Sequence, residues 1–114
     1  MASFLPEIDL VAQDGQNFQF KAHITPELLA FQGHFPEFAV FPGVAQIAMV
    51  RELVAKHLQH LGEMYRAEQL RFQNFVLPNQ ELFINLECNQ ETVSFKISNA
   101  QQQAVASGRL LFKV

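Results

Sequence analysis

One helical stripe stands in a chain that otherwise repeats with the period of β-strands, and this imbalance narrows the folds open to it. Between Val44 and Leu61, the residues Ile47, Val50, Val54, Leu58 and Leu61 recur at spacings of three and four. That spacing lines one face of an α-helix. Pro42 suits the start of such a helix and Gly62 its stop. Strand patterns lie on both sides. Before the helix, "EIDLVAQ" and "NFQFKAHI" flank the turn "DGQ", with Gly at the position that tolerates positive φ. Phe18, Phe20, Ala22 and Ile24 alternate there with Gln19, Lys21 and His23, the period of a half-buried strand. "TPELLAF" offers Thr25 as N-cap and Pro26 as first residue of a short helix start. After the main helix come "YRAEQLRFQNFV", the break "LPNQ", then "ELFINLEC", "ETVSFKIS" and "AVASGRLLFKV", where Gly108 predicts a bulge.

The order is two strands, one main helix and about four strands. A lone helix that is apolar along its first turns must be covered by the sheet. An antiparallel sheet curled around a central helix does this, but leaves an edge strand and one helix end uncovered. Dimerisation is therefore expected.

Composition narrows the function classes. The 114 residues are the length of one domain, expected to span 1–114. A net charge of −3 without a Lys/Arg cluster argues against a nucleic-acid surface. The chain has 12 Phe and no Trp. So many apolar rings suit a core, an apolar tunnel or a subunit interface. Cys88 is the only cysteine, which excludes an intrachain disulfide and a cysteine-based metal site. "MASFLPEIDL" does not read as a signal peptide, and no run approaches the roughly 20 apolar residues of a membrane span. A cytoplasmic protein is expected.

"GHFPEFAVFPGVAQIAM" resembles the signature of the hotdog-fold 3-hydroxyacyl-[acyl-carrier-protein] dehydratases: GHFP, then PGV, then a helix bearing an acid. "LRFQNFVLPNQELFINLE" is similar to a strand pair of that family, and "AVASGRLLFKV" to its last strand. The nearest likeness is to the short dehydratases of aryl-polyene clusters, and it covers about Phe18 to Val114. The resemblance implies an α+β hotdog fold, a homodimer with acyl tunnels at the subunit interface, and no cofactor or metal. It also implies an acyl-carrier-protein partner delivering a 3-hydroxyacyl thioester, with the trans-2-enoyl thioester of fatty-acid or polyene-type synthesis as product. In it His34 removes the α-proton, and the Gly43 amide polarises the thioester carbonyl. Phe35, Phe41, Pro42, Val44 and Ala48 would lie along the substrate, with a simple core role equally open for Phe35 and Phe41.

The chemistry suits these residue types. A weakly acidic α-proton needs a base with pKa near neutrality, which His supplies. A helix N-terminus offers N–H donors to a developing enolate oxygen. The acid expected fourteen positions after His34 is replaced by Ala48. Glu52 follows one turn later on the same helical face, and its side chain leans back over Ala48. Glu37, where the family commonly carries Gly, is a second candidate; in either case an exposed or ion-paired role is open. Two competing classes remain: a non-catalytic acyl-binding hotdog or partner subunit without the acid, and a hotdog thioesterase. His57 and His60 share a helical face but lack a third ligand, so no metal site is expected. His23 points outward on its strand, and Cys88 reads as a small core residue.

Overall fold

The computed structural model describes residues 4–31 and 40–114. Its elements are β1 (Ile8–Asp14), β2 (Asn17–His23), one 3-10 turn (Leu29–Phe31), α1 (Gly43–His57), β3 (Met64–Phe72), β4 (Glu81–Asn89), β5 (Thr92–Asn99) and β6 (Ala104–Phe112). The strands form one antiparallel sheet in the order β1-β2-β4-β5-β6-β3. This is the α+β arrangement expected of a hotdog fold: a six-stranded sheet with one helix.

Period-two patterning sets the register of the four central strands. Phe20 stands opposite Ile84, Ile84 opposite Ile97 and Ile97 opposite Ala106. A second rung runs Phe18, Leu86, Phe95, Gly108. All of these side chains are buried, and a one-residue slip of any strand would turn its apolar set to water. Against them α1 buries Ala45, Met49, Val50, Leu53 and Val54. Each large apolar side chain so covered stabilises the fold by roughly 1.5–3 kcal/mol. The inward face is centred on Met49 and Leu53; Ile47 and Leu61, from the predicted stripe, are only partly buried.

Three local expectations change. The helix ends at His57, not Leu61. Leu58 leaves helical geometry (φ −127, ψ 59), and Gly62 donates its N–H to the Lys113 carbonyl at 2.5 Å. Pairing with the end of β6 thus overrides a pattern that could have run further. "TPELLAF" forms a turn and three 3-10 residues, with the Leu28 N–H on the Thr25 carbonyl (3.3 Å) and no longer helix. The bulge in β6 lies at Val105, where the register with β5 shifts, rather than at Gly108. Gly108 instead faces a bulge of the neighbouring strand. Gln69 and Leu70 both fall opposite it, with Gln69 at φ +56. A Cβ on Gly108 would lie 2.5 Å from Leu70 Cδ2 and 3.0 Å from the Phe95 ring, so glycine leaves the space that Leu70 fills.

Candidate active site at the start of the helix

The Val105 bulge turns the chain toward the start of α1. Its carbonyl accepts the Gln73 N–H at 2.8 Å and the Asn74 N–H at 3.5 Å, and Asn74 Nδ2 donates to the Ala104 carbonyl. The strand exit is thereby fixed, and the Val76 carbonyl accepts the Phe41 N–H at 2.7 Å. Phe41 is buried, its ring tilted on Phe31 with centroids 6.1 Å apart. A rigid corner at Phe41–Pro42–Gly43 results.

At this corner α1 begins without a side-chain cap. Pro42 occupies the N-cap position in extended geometry, and the first turn carries no acidic residue. The first helical bond runs from the Gln46 N–H to the Pro42 carbonyl (3.0 Å). The N–H groups of Gly43, Val44 and Ala45 precede it, so the turn presents backbone donors with a favourable dipole. The Phe72 ring lies over Gly43: a Cβ there would sit 3.0 Å from the ring edge. Val44 is 74% exposed, and Phe72 and Phe75 are also exposed, giving the corner an apolar rim.

Ala48 and Glu52 share the outward face of α1. Both line a groove of about 380 Å³ with Arg51, Ala55, Met64 and Phe112. The structure therefore brings Glu52 beside Ala48, as the helical spacing requires, and leaves the carboxylate exposed. A second depression, about 440 Å³, lies at the hairpin end of the sheet between Asp14, Gln19, Glu87 and Lys96, and shares no residue with this groove. His34, Phe35 and Glu37 lie outside the described residues. Among the described residues no cluster of metal-ligating side chains occurs, and no helix is long and apolar enough to cross a membrane. His57 packs on Phe20 and Phe18, with ring centroids 5.0 and 5.6 Å away. Burial, and then the Lys56 charge, lower its pKa. His23 is exposed, as expected. Cys88 is half-buried against the core, its Sγ near the Gln90 carbonyl (3.4 Å), and burial raises its pKa.

Comparison with known proteins decides the family. The family model described as ApeI-like, ApeI dehydratase, matches residues 10–109. The chain belongs to the ApeI-like dehydratase family. The dehydratase heterocomplex ApeI:P from Xenorhabdus doucetiae has a similar structure, with a TM-score of 0.88 at 21% identity over 96% of this chain and 98% of that one. An uncharacterized protein from Erwinia carotovora subsp. atroseptica gives a TM-score of 0.77 at 24% identity, covering 96% of each chain. The protein smu.793 from Streptococcus mutans, solved bound to acetyl CoA, gives 0.67 at 12% identity over 94% of this chain and 89% of that one. These likenesses establish the hotdog fold. No curated protein sequence is significantly similar to this chain.

Two residues beside the start of α1 carry no signal in the sequence. Gln46 is 3% exposed, its Nε2 donating to the Phe41 carbonyl at 3.1 Å. A polar residue inside the helical pattern reads as a surface position; only the inward phase set by Ala45 and Met49 would have flagged it. Phe72 alternates on an edge strand, and nothing in its sequence neighbourhood points to Gly43.

Proposed function

We propose that this chain dehydrates a 3-hydroxyacyl thioester carried on acyl carrier protein, giving the trans-2-enoyl thioester and water in fatty-acid or polyene-type chain synthesis. The observation that carries the reading is the uncapped helix start at Gly43, in a chain of the ApeI-like dehydratase family. His34 takes the α-proton, a role resting on its place in the GHFP motif. The electron pair of the broken C–H bond moves toward the carbonyl, whose oxygen gains charge beside the Gly43 N–H. The pair then forms the C2–C3 double bond as the C3–O bond breaks, and the hydroxyl leaves as water with a proton from Glu52 or from solvent. The small Ala48 side chain, beside Glu52 in one groove, supports that assignment. The apolar rim of Val44, Phe72 and Phe75 and the exposed edge of β3 support a dimer whose interface completes the acyl tunnel.

A second reading is favoured by Ala48 itself. In it another chain supplies the acid, and this chain is the acyl-binding partner in a dehydratase pair; the Xenorhabdus doucetiae neighbour is a dehydratase heterocomplex. The product formed from a 3-hydroxyacyl thioester separates the readings. Enoyl thioester supports the dehydratase, no product the acyl-binding partner, and free acid a thioesterase. His34→Ala should lower dehydration roughly 10²–10⁴-fold, the usual contribution of a general base. Unchanged turnover in that variant removes the mechanism.

A further inference from the structure

Gln46 carries a buried acceptor that no other described residue uses. Its Oε1 is fully shielded from water and has no hydrogen-bond partner, the single such side-chain atom among the described residues. Its orientation is fixed by chemistry: exchanging oxygen and nitrogen would set Oε1 against the Phe41 carbonyl, which now accepts from Nε2. Helical side chains lean toward the N-terminus, and the bond to Phe41, five residues earlier, holds the carboxamide beside the Phe41–Gly43 corner. A buried carbonyl oxygen without a donor is costly, and native folds keep few of them. The first turn thus combines backbone donors, from Gly43 to Ala45, with one acceptor that has no partner among the described residues.

A ligand that matches this pair presents an acceptor and, a few bonds away, a donor. A 3-hydroxyacyl thioester does so: its carbonyl accepts and its C3 hydroxyl donates. A saturated acyl thioester and the enoyl product offer only the acceptor. We infer that Gln46 Oε1 accepts the hydrogen of the substrate's C3 hydroxyl, making Gln46 the residue that selects 3-hydroxyacyl chains over saturated and enoyl ones. This rests on the substrate class proposed above and adds a residue to it. Folding has already stripped water from Oε1, so the bond formed on binding is not offset by desolvating the acceptor. A preference of roughly ten- to a hundredfold follows.

Calorimetric titration of the full chain tests this with pantetheine-derived amides, whose α-proton is too weakly acidic for elimination. Three ligands of equal chain length suffice: the (3R)-hydroxyacyl amide, the saturated acyl amide and the 3-methoxyacyl amide. The expected result is tightest binding of the hydroxy ligand, with the methoxy ligand losing the advantage because it keeps the oxygen and lacks the donor. Gln46→Met should bind hydroxy and saturated ligands equally, with its affinity for the saturated ligand close to wild type. Equal affinity of the wild type for hydroxy and saturated ligands overturns the inference, as does a preference that survives in Gln46→Met; in either case Oε1 serves an internal water only. Absence of binding by all three ligands overturns it as well. Should Gln46→Met fail to fold, the methoxy comparison on the wild type still decides. A preference without any turnover would sink the dehydratase reading and leave Gln46 standing. Turnover without a preference would do the reverse.

Discussion

The two ends of α1 are finished in opposite ways. At the C-terminal end, the Leu58 N–H closes on the Val54 carbonyl at 2.8 Å and the Leu61 N–H on the Leu58 carbonyl at 3.0 Å. Lys56 and His57 place basic groups in the last turn, where the helix dipole favours positive charge. Gly62 and Lys113 then tie the exit to β6. The N-terminal end has none of these fittings. It has no capping side chain and no acid in its first turn, and among the described residues the nearest group over Gly43 is the Phe72 ring. A capping Ser, Thr or Asp in place of Pro42 would add about 1 kcal/mol of stability. Leaving this off at one end only, in a helix so carefully closed at the other, supports the proposal that the first turn binds the thioester carbonyl.

That contrast breaks first at Gly43. In Gly43→Val the new Cβ meets the Phe72 ring at 3.0 Å, and two further methyl groups crowd the donors. Dehydration should fall by about 10³-fold, the upper range for losing one oxyanion donor, as measured by enoyl thioester formation. The matching change at the other end, Lys56→Ala, should leave turnover unaltered and stability within about 0.5 kcal/mol. Adding Phe72→Ala to Gly43→Val relieves the ring contact alone. Recovered turnover in that double variant would mean that the loss came from the clash with the Phe72 ring and not from methyl groups crowding the donors.

A smaller effect tests the outward face of the same helix. Glu52→Gln removes the ionisable group at nearly constant shape and should lower turnover about 10²-fold, the lower range for a positioned acid. Ala48→Glu, in the same groove, should raise it. An active wild type unaffected by Glu52→Gln places the acid elsewhere, with Glu37 next to examine. An inert wild type that Ala48→Glu alone switches on would establish a dehydratase scaffold without its acid.

Where one face of an element is buried, the sequence was readable. The alternation of Phe18, Phe20 and Ala22, or of Val93, Phe95 and Ile97, specifies both strand and register, because the other phase would expose every ring. The start of α1 was equally legible from Pro42 and Gly43, and helical spacing was enough to set Glu52 beside Ala48. The end of α1 was not, because Leu58 to Gly62 answer to Lys113, some fifty residues away in sequence. Nor was the bulge at Val105, whose carbonyl is turned by Gln73 and Asn74. Gln46 was hidden for a different reason. Its burial depends on one side-chain bond to Phe41, and hydropathy patterns do not register such bonds.

The mildest test returns to the closed end, at His57. Its ring lies against Phe20 and Phe18, and burial, followed by the Lys56 charge, lowers its pKa from the usual 6.5. The dipole at a helix C-terminus acts the other way, so the aromatic contact outweighs it here. The folded state then favours the neutral imidazole, and the unfolded chain binds more protons as pH falls through about 6.5. His57 therefore contributes its stability above that pH and loses it progressively below, down to the depressed folded pKa. The effect is small, because the ring is only half-buried and salt screens the Lys56 charge. His57→Phe keeps an aromatic ring against Phe18 and Phe20 but cannot titrate. Thermal melts of both proteins between pH 7.5 and 5 should show the wild type losing ground to the variant as the solution is acidified (about the range in which an ordinary histidine titrates). A constant difference in melting temperature across that range would mean that the closed end of the helix is held by packing alone, with no proton linked to it.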